Sequence, residues 1–156
     1  MKTYKIYLIK LFLKKLLIIT VGFFSLIFIL NLFEEISFFK DTNADTFLPF
    51  ILTFLNTPSA IFDIFPFIYL ISSQLFFIHL INKKELEIFK INGLSNFGIL
   101  KIIFSTALIL GVITVLIFYS VSSKMKFLYL DIKNNYSNDN KYLAVITENG
   151  LWIKDE

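Results

Sequence analysis

Three uninterrupted apolar stretches, each long enough to cross a bilayer, constrain the fold of this chain more than any other feature. They contain 18, 19 and 22 residues without a charged side chain and cover residues 16–33, 64–82 and 102–123. A helix rises about 1.5 Å per residue, so each stretch spans roughly the 30 Å of the hydrocarbon layer. The sequence therefore predicts an α-helical integral membrane protein with three transmembrane helices.

The remaining composition excludes several classes of function. Hydrophobic residues make up 56% of the chain and charged residues 17%, below the roughly 25% of soluble domains. The absence of cysteine excludes disulfides and thiol chemistry, and the lysines flank the apolar stretches rather than forming the continuous basic face that nucleic-acid binding requires. No phosphate-binding loop or metal-ligand pattern is present, and His79, the one histidine, is expected to be a helix-bundle contact. We therefore predict a protein that is not an enzyme and needs no cofactor.

The lysines also predict the orientation in the membrane. Five lysines precede residue 16 and four lie between residues 83 and 101, whereas the segment 34–46 carries Lys40 alone against four acids. The positive-inside rule therefore places the N-terminus and the 83–101 segment in the cytoplasm, and the 34–46 segment and the C-terminal tail outside. The lysines of the tail at positions 124, 126 and 133 argue mildly against this, but the two stronger loops outweigh them.

The entry to the second apolar stretch contains prolines at positions 49, 58 and 66. Because proline removes an amide donor, the pattern predicts a separate short helix over residues 47–62 and a span that begins near Asp63 or Ile64. Asp63 then has two interpretations. It either caps the start of that helix, or it contacts a lipid headgroup or a partner subunit, as acids near membrane depth tend to do.

The segment 83–95 is predicted to be a charged helix on the cytoplasmic face. Glu85 has no lysine three or four residues away and has apolar neighbours at those spacings. It therefore either faces water or docks into a partner groove that supplies a cation. Gly93 and Ser95 predict a glycine C-cap followed by a new helix start.

The chain changes character after residue 123, so we expect a transmembrane domain over residues 1–123 and an outer β domain that begins within 124–156. Residues 124–141 are polar and predict a loop. Residues 142–153 alternate around a Glu-Asn-Gly turn and predict two strands. Because two strands are marginal alone, we expect a truncated sequence whose missing part supplies further strands and spans.

Several motifs, each of low specificity alone, resemble the LptF/LptG (YjgP/YjgQ) permease family in their order and spacing. They are a proline pair eight residues apart at Pro58 and Pro66 with an acid before the second, a Glu-Leu pair at residues 85 and 86, and a Gly-hydrophobic-Ser element at residues 93–95. Further on, Asn149–Asp155 is similar to the start of that family's periplasmic β-jellyroll and points to the LptG side. The resemblance covers essentially all 156 residues but only about the N-terminal half of a family member.

The resemblance implies a function that composition does not. It implies a permease subunit of an ABC-type lipopolysaccharide exporter in the bacterial inner membrane, paired with an LptF-like subunit, energised by an LptB-like ATPase and followed by an LptC-like periplasmic bridge component. Glu85 would then meet the ATPase, with Leu86, Gly93 and Ser95 completing the coupling element. Lys40 and Asp63 are the outer-side residues expected to contact substrate or partner. The alternative is a three-span scaffold that presents an outer β domain and transports nothing.

Overall fold

A computed structural model describes residues 3–40 and 45–136, together with the backbone of residues 144–147 and 150–153. The described chain is dominated by helices. The helices are α1 (Thr3–Phe39), α2 (Leu48–Asn82), α3 (Glu85–Ile91), α4 (Asn96–Ile113) and α5 (Tyr119–Asn134), with a π-helical segment at Thr114–Phe118 between α4 and α5.

Three helical segments are long and apolar enough to cross a membrane, which confirms the predicted number of transmembrane helices. They are Thr3–Phe39, Leu48–Asn82 and Asn96–Asn134, with 37, 35 and 39 residues. At about 1.5 Å per residue, each is roughly 50–60 Å long and exceeds the hydrocarbon thickness. The predicted stretches 16–33 and 102–123 are therefore the central parts of longer helices, and 64–82 is the C-terminal part of α2.

The prediction of a separate helix over residues 47–62 is wrong, because α2 continues through Pro58 and Pro66. Each proline removes one backbone donor, but unwinding the helix there would leave more amides unpaired, and these cost several kcal/mol each in hydrocarbon. Asp63 consequently lies inside α2 rather than at a helix start, so the capping interpretation of this residue is also wrong. Pro49, in the first turn, replaces a donor that would have no partner in any case.

The prediction of a loop from residue 124 is wrong as well, because α5 extends to Asn134. The buried residues of α5 are Ser122, Tyr129 and Lys133, at spacings of seven and four, and they share one face of the helix. Of the polar residues that suggested a loop, Lys124 and Asp131 are exposed, whereas Lys133 is buried. Residues 137–143 of the predicted loop lie outside the described part of the chain.

The chain divides into two compact units, each with its own apolar core. Unit 1 consists of Met1–Phe23 and Ile64–Leu116, and unit 2 consists of Phe24–Asp63 and Ile117–Glu156. The core residues of unit 1 are Leu8, Phe12, Phe76, Leu80, Ile99 and Ile103. Those of unit 2 are Phe39, Leu52 and Tyr129. His79, predicted to be a bundle contact, is half-buried in unit 1.

Large apolar side chains also face outward along the long helices. Leu17, Phe67 and Leu116 are each more than half exposed, with relative accessibilities of 65%, 55% and 70%. A water-soluble protein would not leave contiguous apolar surface of this extent uncovered. The outward faces therefore suit lipid or other transmembrane helices.

Two short strands follow the helices. β1 (Ala144–Thr147) pairs antiparallel with β2 (Gly150–Ile153), so that Ala144 is opposite Ile153 and Thr147 is opposite Gly150. The predicted strands are thus confirmed. A two-stranded pair is not a jellyroll, and the predicted β domain as a whole stays a prediction.

Candidate functional site

The short helix α3 is separated from α2 by a sharp backbone turn at Lys84. This residue adopts φ 56° and ψ 14°, and it is the only non-glycine residue at positive φ in the described part of the chain. The left-handed conformation costs a residue with a Cβ roughly 1–2 kcal/mol. The turn is held by hydrogen bonds from the Lys83 amide to the His79 carbonyl and from the Lys84 amide to the Ile81 carbonyl, both 3.0 Å.

The other end of α3 has the glycine cap that the sequence predicts. Gly93 adopts φ 82°, its amide donates to the Lys90 carbonyl, and the Leu94 amide donates to the Phe89 carbonyl, both at 2.9 Å. These two bonds define a Schellman motif, which satisfies the last carbonyls of α3. The cap limits the helix to Glu85–Ile91, shorter than the 83–95 segment predicted from sequence.

Ser95 starts the next helix, as predicted. Its hydroxyl accepts a hydrogen bond from the Gly98 amide at 3.1 Å, and its carbonyl accepts one from the Ile99 amide at 3.2 Å. Its backbone is extended, with φ −73° and ψ 154°, as N-cap residues require. Gly93 and Ser95 together turn the chain from α3 into α4 within a few residues.

Glu85, the first residue of α3, meets a tyrosine from α1. The Tyr7 hydroxyl lies 2.8 Å from each of the two carboxylate oxygens of Glu85. Glu85 is half-buried and forms no ion pair with any residue of the described chain. The sequence predicted an acid without a local cation, but it gave no sign of Tyr7, which lies 78 residues away.

The two faces of α3 differ in character. Leu86 and Phe89 pack against the core of unit 1 and anchor the helix. Ile88 and Ile91, three residues apart and hence on one side, are 54% and 86% exposed. An open groove of about 560 Å³ lies beside the α3–α4 junction, with Phe89 among its lining residues. This end of unit 1 therefore presents apolar side chains and a carboxylate that has no cationic partner among the described residues.

The two outer-side residues predicted from sequence lie in unit 2. Lys40 follows the end of α1 and is exposed. Asp63 is also exposed, and it interacts electrostatically with Lys126 of α5. Lys126 donates a hydrogen bond to the Asn56 side chain.

Unit 2 also contains a buried charged cluster that the sequence did not predict. Lys133 Nζ lies 2.8 Å from Glu35 Oε1, and the Tyr129 hydroxyl donates to the same oxygen at 2.8 Å. All three residues are at most 5% exposed, and Glu35 Oε2 has no hydrogen-bond partner among the described residues. The only sequence signal was the four-residue spacing of Tyr129 and Lys133, which does not identify the acid they contact.

Comparison with known families assigns the chain. The family described as "Lipopolysaccharide export system permease LptF/LptG" matches residues 6–156. This chain belongs to the LptF/LptG family. Neither a curated protein nor a solved structure matches it. Members of the LptF/LptG family are multi-pass membrane permease subunits that are generally non-catalytic. The described residues include no group of three or more His, Cys, Asp or Glu side chains that could hold a metal ion.

Proposed function

We propose that this LptF/LptG chain is a permease subunit of an ABC-type lipopolysaccharide exporter in the bacterial inner membrane. It extracts lipopolysaccharide from the membrane and transfers it towards a periplasmic bridge component of the LptC type. It pairs with a second permease of the LptF type, and ATP is hydrolysed by a partner of the LptB type. Family membership supports this proposal, and the surface of α3 suggests where the ATPase binds.

The proposal depends on two features of α3: turns separate it from the long helices on either side, and it exposes apolar side chains. Defined turns at Lys84 and Gly93 set this seven-residue helix apart from the long helices on either side. Leu86 anchors it, while Ile88 and Ile91 face outward. A short, firmly held helix with exposed apolar side chains suits docking into a groove on a partner protein. Movement of that partner is then transmitted directly to the transmembrane helices.

The orientation rests on the charge pattern around α3. Lys83, Lys84 and Lys90 lie in or next to α3, and Lys101 follows in α4. The positive-inside rule places these lysines, and with them α3, in the cytoplasm, where an ATPase has access to ATP. The lysines at positions 124, 126 and 133 argue mildly against this orientation, and the two stronger loops outweigh them.

The same rule places the segment 34–46 in the periplasm. Lys40 and Asp63 are exposed in unit 2, and they are our candidates for contact with substrate or a partner subunit. The paired strands β1 and β2 support a periplasmic β domain that begins in residues 124–156. The motif Asn149–Asp155 favours an LptG-like subunit over an LptF-like one.

Co-purification with an LptB-type ATPase tests the proposal, using the native protein, Glu85→Ala and Glu87→Ala. Truncating one partner of a desolvated charge pair costs about 2 kcal/mol or more, enough to lose a washed complex. We therefore expect Glu85→Ala to lose the ATPase. Glu87→Ala is the matched control, because it removes an exposed acid from the same helix, and it should retain the ATPase.

The thermal midpoint of each purified variant shows whether the membrane protein is still folded. A folded protein that never retains the ATPase, even with Glu85 intact, contradicts the transporter and favours a scaffold. Equal retention by the native protein and Glu85→Ala contradicts the role assigned to Glu85.

A further inference from the structure

The contact between Tyr7 and Glu85 joins two elements that are distant in sequence. One phenolic O–H lies 2.8 Å from both oxygens of the carboxylate, so its single proton is shared between them. A hydrogen bond to an ionised acceptor is stronger than one between neutral groups. The conformation of the Glu85 side chain is therefore restricted by a group outside α3.

The hydroxyl itself is held in place. The Tyr7 ring contacts Phe89 of α3, with the ring centroids 6.3 Å apart and the planes tilted by 50°. The next residue of α1, Leu8, is fully buried in the core of unit 1, as is Phe12 one turn later. The ring contact and the buried helix that follows Tyr7 therefore restrict the position of the hydroxyl.

The carboxylate remains available to another group. A carboxylate offers about four acceptor positions, and the Tyr7 proton uses only part of this capacity. Glu85 is only half-buried, and its charge is not balanced by an ion pair within the described chain. The arrangement thus orients the carboxylate without neutralising it.

We propose that Tyr7 is a positioning residue for ATPase docking, and that it holds the Glu85 carboxylate in the conformation that a basic group of the ATPase meets. This inference rests on the proposed coupling role of Glu85, and it adds a residue of α1 that affects how tightly the ATPase binds. Without the hydroxyl, Glu85 samples several rotamers in the free protein, and binding must restrict them. Restricting one such side chain weakens association by about 2- to 10-fold.

The test is an equilibrium titration of an LptB-type ATPase against the detergent-solubilised protein, comparing native, Tyr7→Phe and Tyr4→Phe. Tyr7→Phe keeps the ring against Phe89 and removes only the hydroxyl, so the dissociation constant should rise about 2- to 10-fold. Tyr4→Phe is the matched control from the same helix, because the Tyr4 side chain packs on the core of unit 1 and has no hydrogen bond within the described chain. Its affinity should be unchanged.

A double variant separates positioning from a general structural effect. If Tyr7 acts through Glu85, Tyr7→Phe should cause no further loss in the Glu85→Ala background, and thermal midpoints should be unaffected by Tyr7→Phe. Unchanged or tighter binding by Tyr7→Phe, or an equal loss in both backgrounds, overturns the positioning role. If Glu85→Ala alone binds as tightly as the native protein, the proposed coupling role of Glu85 fails, and the positioning role fails with it.

Discussion

Replacing Lys133 with methionine tests how unit 2 is held together. Methionine keeps an unbranched side chain of similar length but removes the charge. In the native protein, Lys133 Nζ lies 2.8 Å from Glu35 Oε1 and 2.7 Å from the Tyr129 hydroxyl. It also lies 4.6 Å from the centre of the Phe38 ring. The substitution therefore removes the cation from a site where the acid is 1% exposed and cannot be solvated by water.

The expected loss of stability follows from the burial of both partners. Removing one member of a buried ion pair costs about 3–5 kcal/mol, because the other charge is left uncompensated. Glu35 Oε2 already lacks a hydrogen-bond partner among the described residues, and after the substitution the hydrogen bond from the Tyr129 hydroxyl to Oε1 remains. We therefore expect a loss of about 3–5 kcal/mol in the free energy of unfolding.

The assay is thermal unfolding of the detergent-solubilised protein. A loss of that size corresponds to a decrease of roughly 6–20 °C in the midpoint for a chain of this length. Lys124→Met is the matched control, since Lys124 lies on the same helix and is exposed. Its midpoint should change by no more than about 2 °C, because exposed charges contribute less than about 0.5 kcal/mol.

The double variant Glu35→Gln with Lys133→Met gives the decisive comparison. Removing both charges leaves no uncompensated ion in the interior, so the double variant should recover a substantial part of the stability lost in Lys133→Met. If Lys133→Met unfolds at the same temperature as Lys124→Met, the ion pair does not stabilise unit 2. If the double variant is no more stable than Lys133→Met, the loss comes from packing rather than from the buried charge.

Two further predictions concern the surroundings of α3. Ser95→Ala removes the acceptor for the Gly98 amide and should destabilise the start of α4 by about 1 kcal/mol. Amide hydrogen exchange over residues 96–99 should then be faster than in the native protein. Ser95→Asp supplies another acceptor and should retain slow exchange. Equal exchange rates in Ser95→Ala and the native protein would show that the cap does not stabilise this helix. Ile91→Ser should weaken ATPase binding by about 1–2 kcal/mol without lowering the thermal midpoint, because this side chain is 86% exposed in the free protein. Unchanged affinity would place the ATPase elsewhere.

Local chemistry made part of this structure predictable from the sequence. The three apolar stretches identified the long helices because hydrocarbon thickness sets a minimum length that few soluble segments reach. Gly93 and Ser95 identified the α3–α4 junction because positive φ and N-cap hydrogen bonds each select few residue types. In both cases the signal lies within the segment that it describes.

The errors came from rules that hold in water or in isolated segments. Pro58 and Pro66 predicted a break in α2, but a helix in hydrocarbon keeps its remaining hydrogen bonds because water is not there to replace them. The polar residues after position 123 predicted a loop, yet Ser122, Tyr129 and Lys133 lie on one face of a helix and are buried in unit 2. Burying a lysine alone is unfavourable. Lys133 is buried because it pairs with Glu35, which lies 98 residues away in the sequence.

The two tyrosine–glutamate contacts have similar chemistry, but we assign one to stability and the other to recognition. In unit 2, Glu35 receives the Tyr129 hydroxyl and also the Lys133 cation, and all three are buried. The charge is balanced internally, so the cluster contributes to stability and offers little to a partner. In unit 1, Glu85 receives a tyrosine hydroxyl but no cation from the described chain, and it is half-exposed. A carboxylate that is oriented but not neutralised gains most from an incoming basic group. This difference in charge balance, rather than the hydrogen bond itself, is why we assign recognition to Glu85 and stability to Glu35.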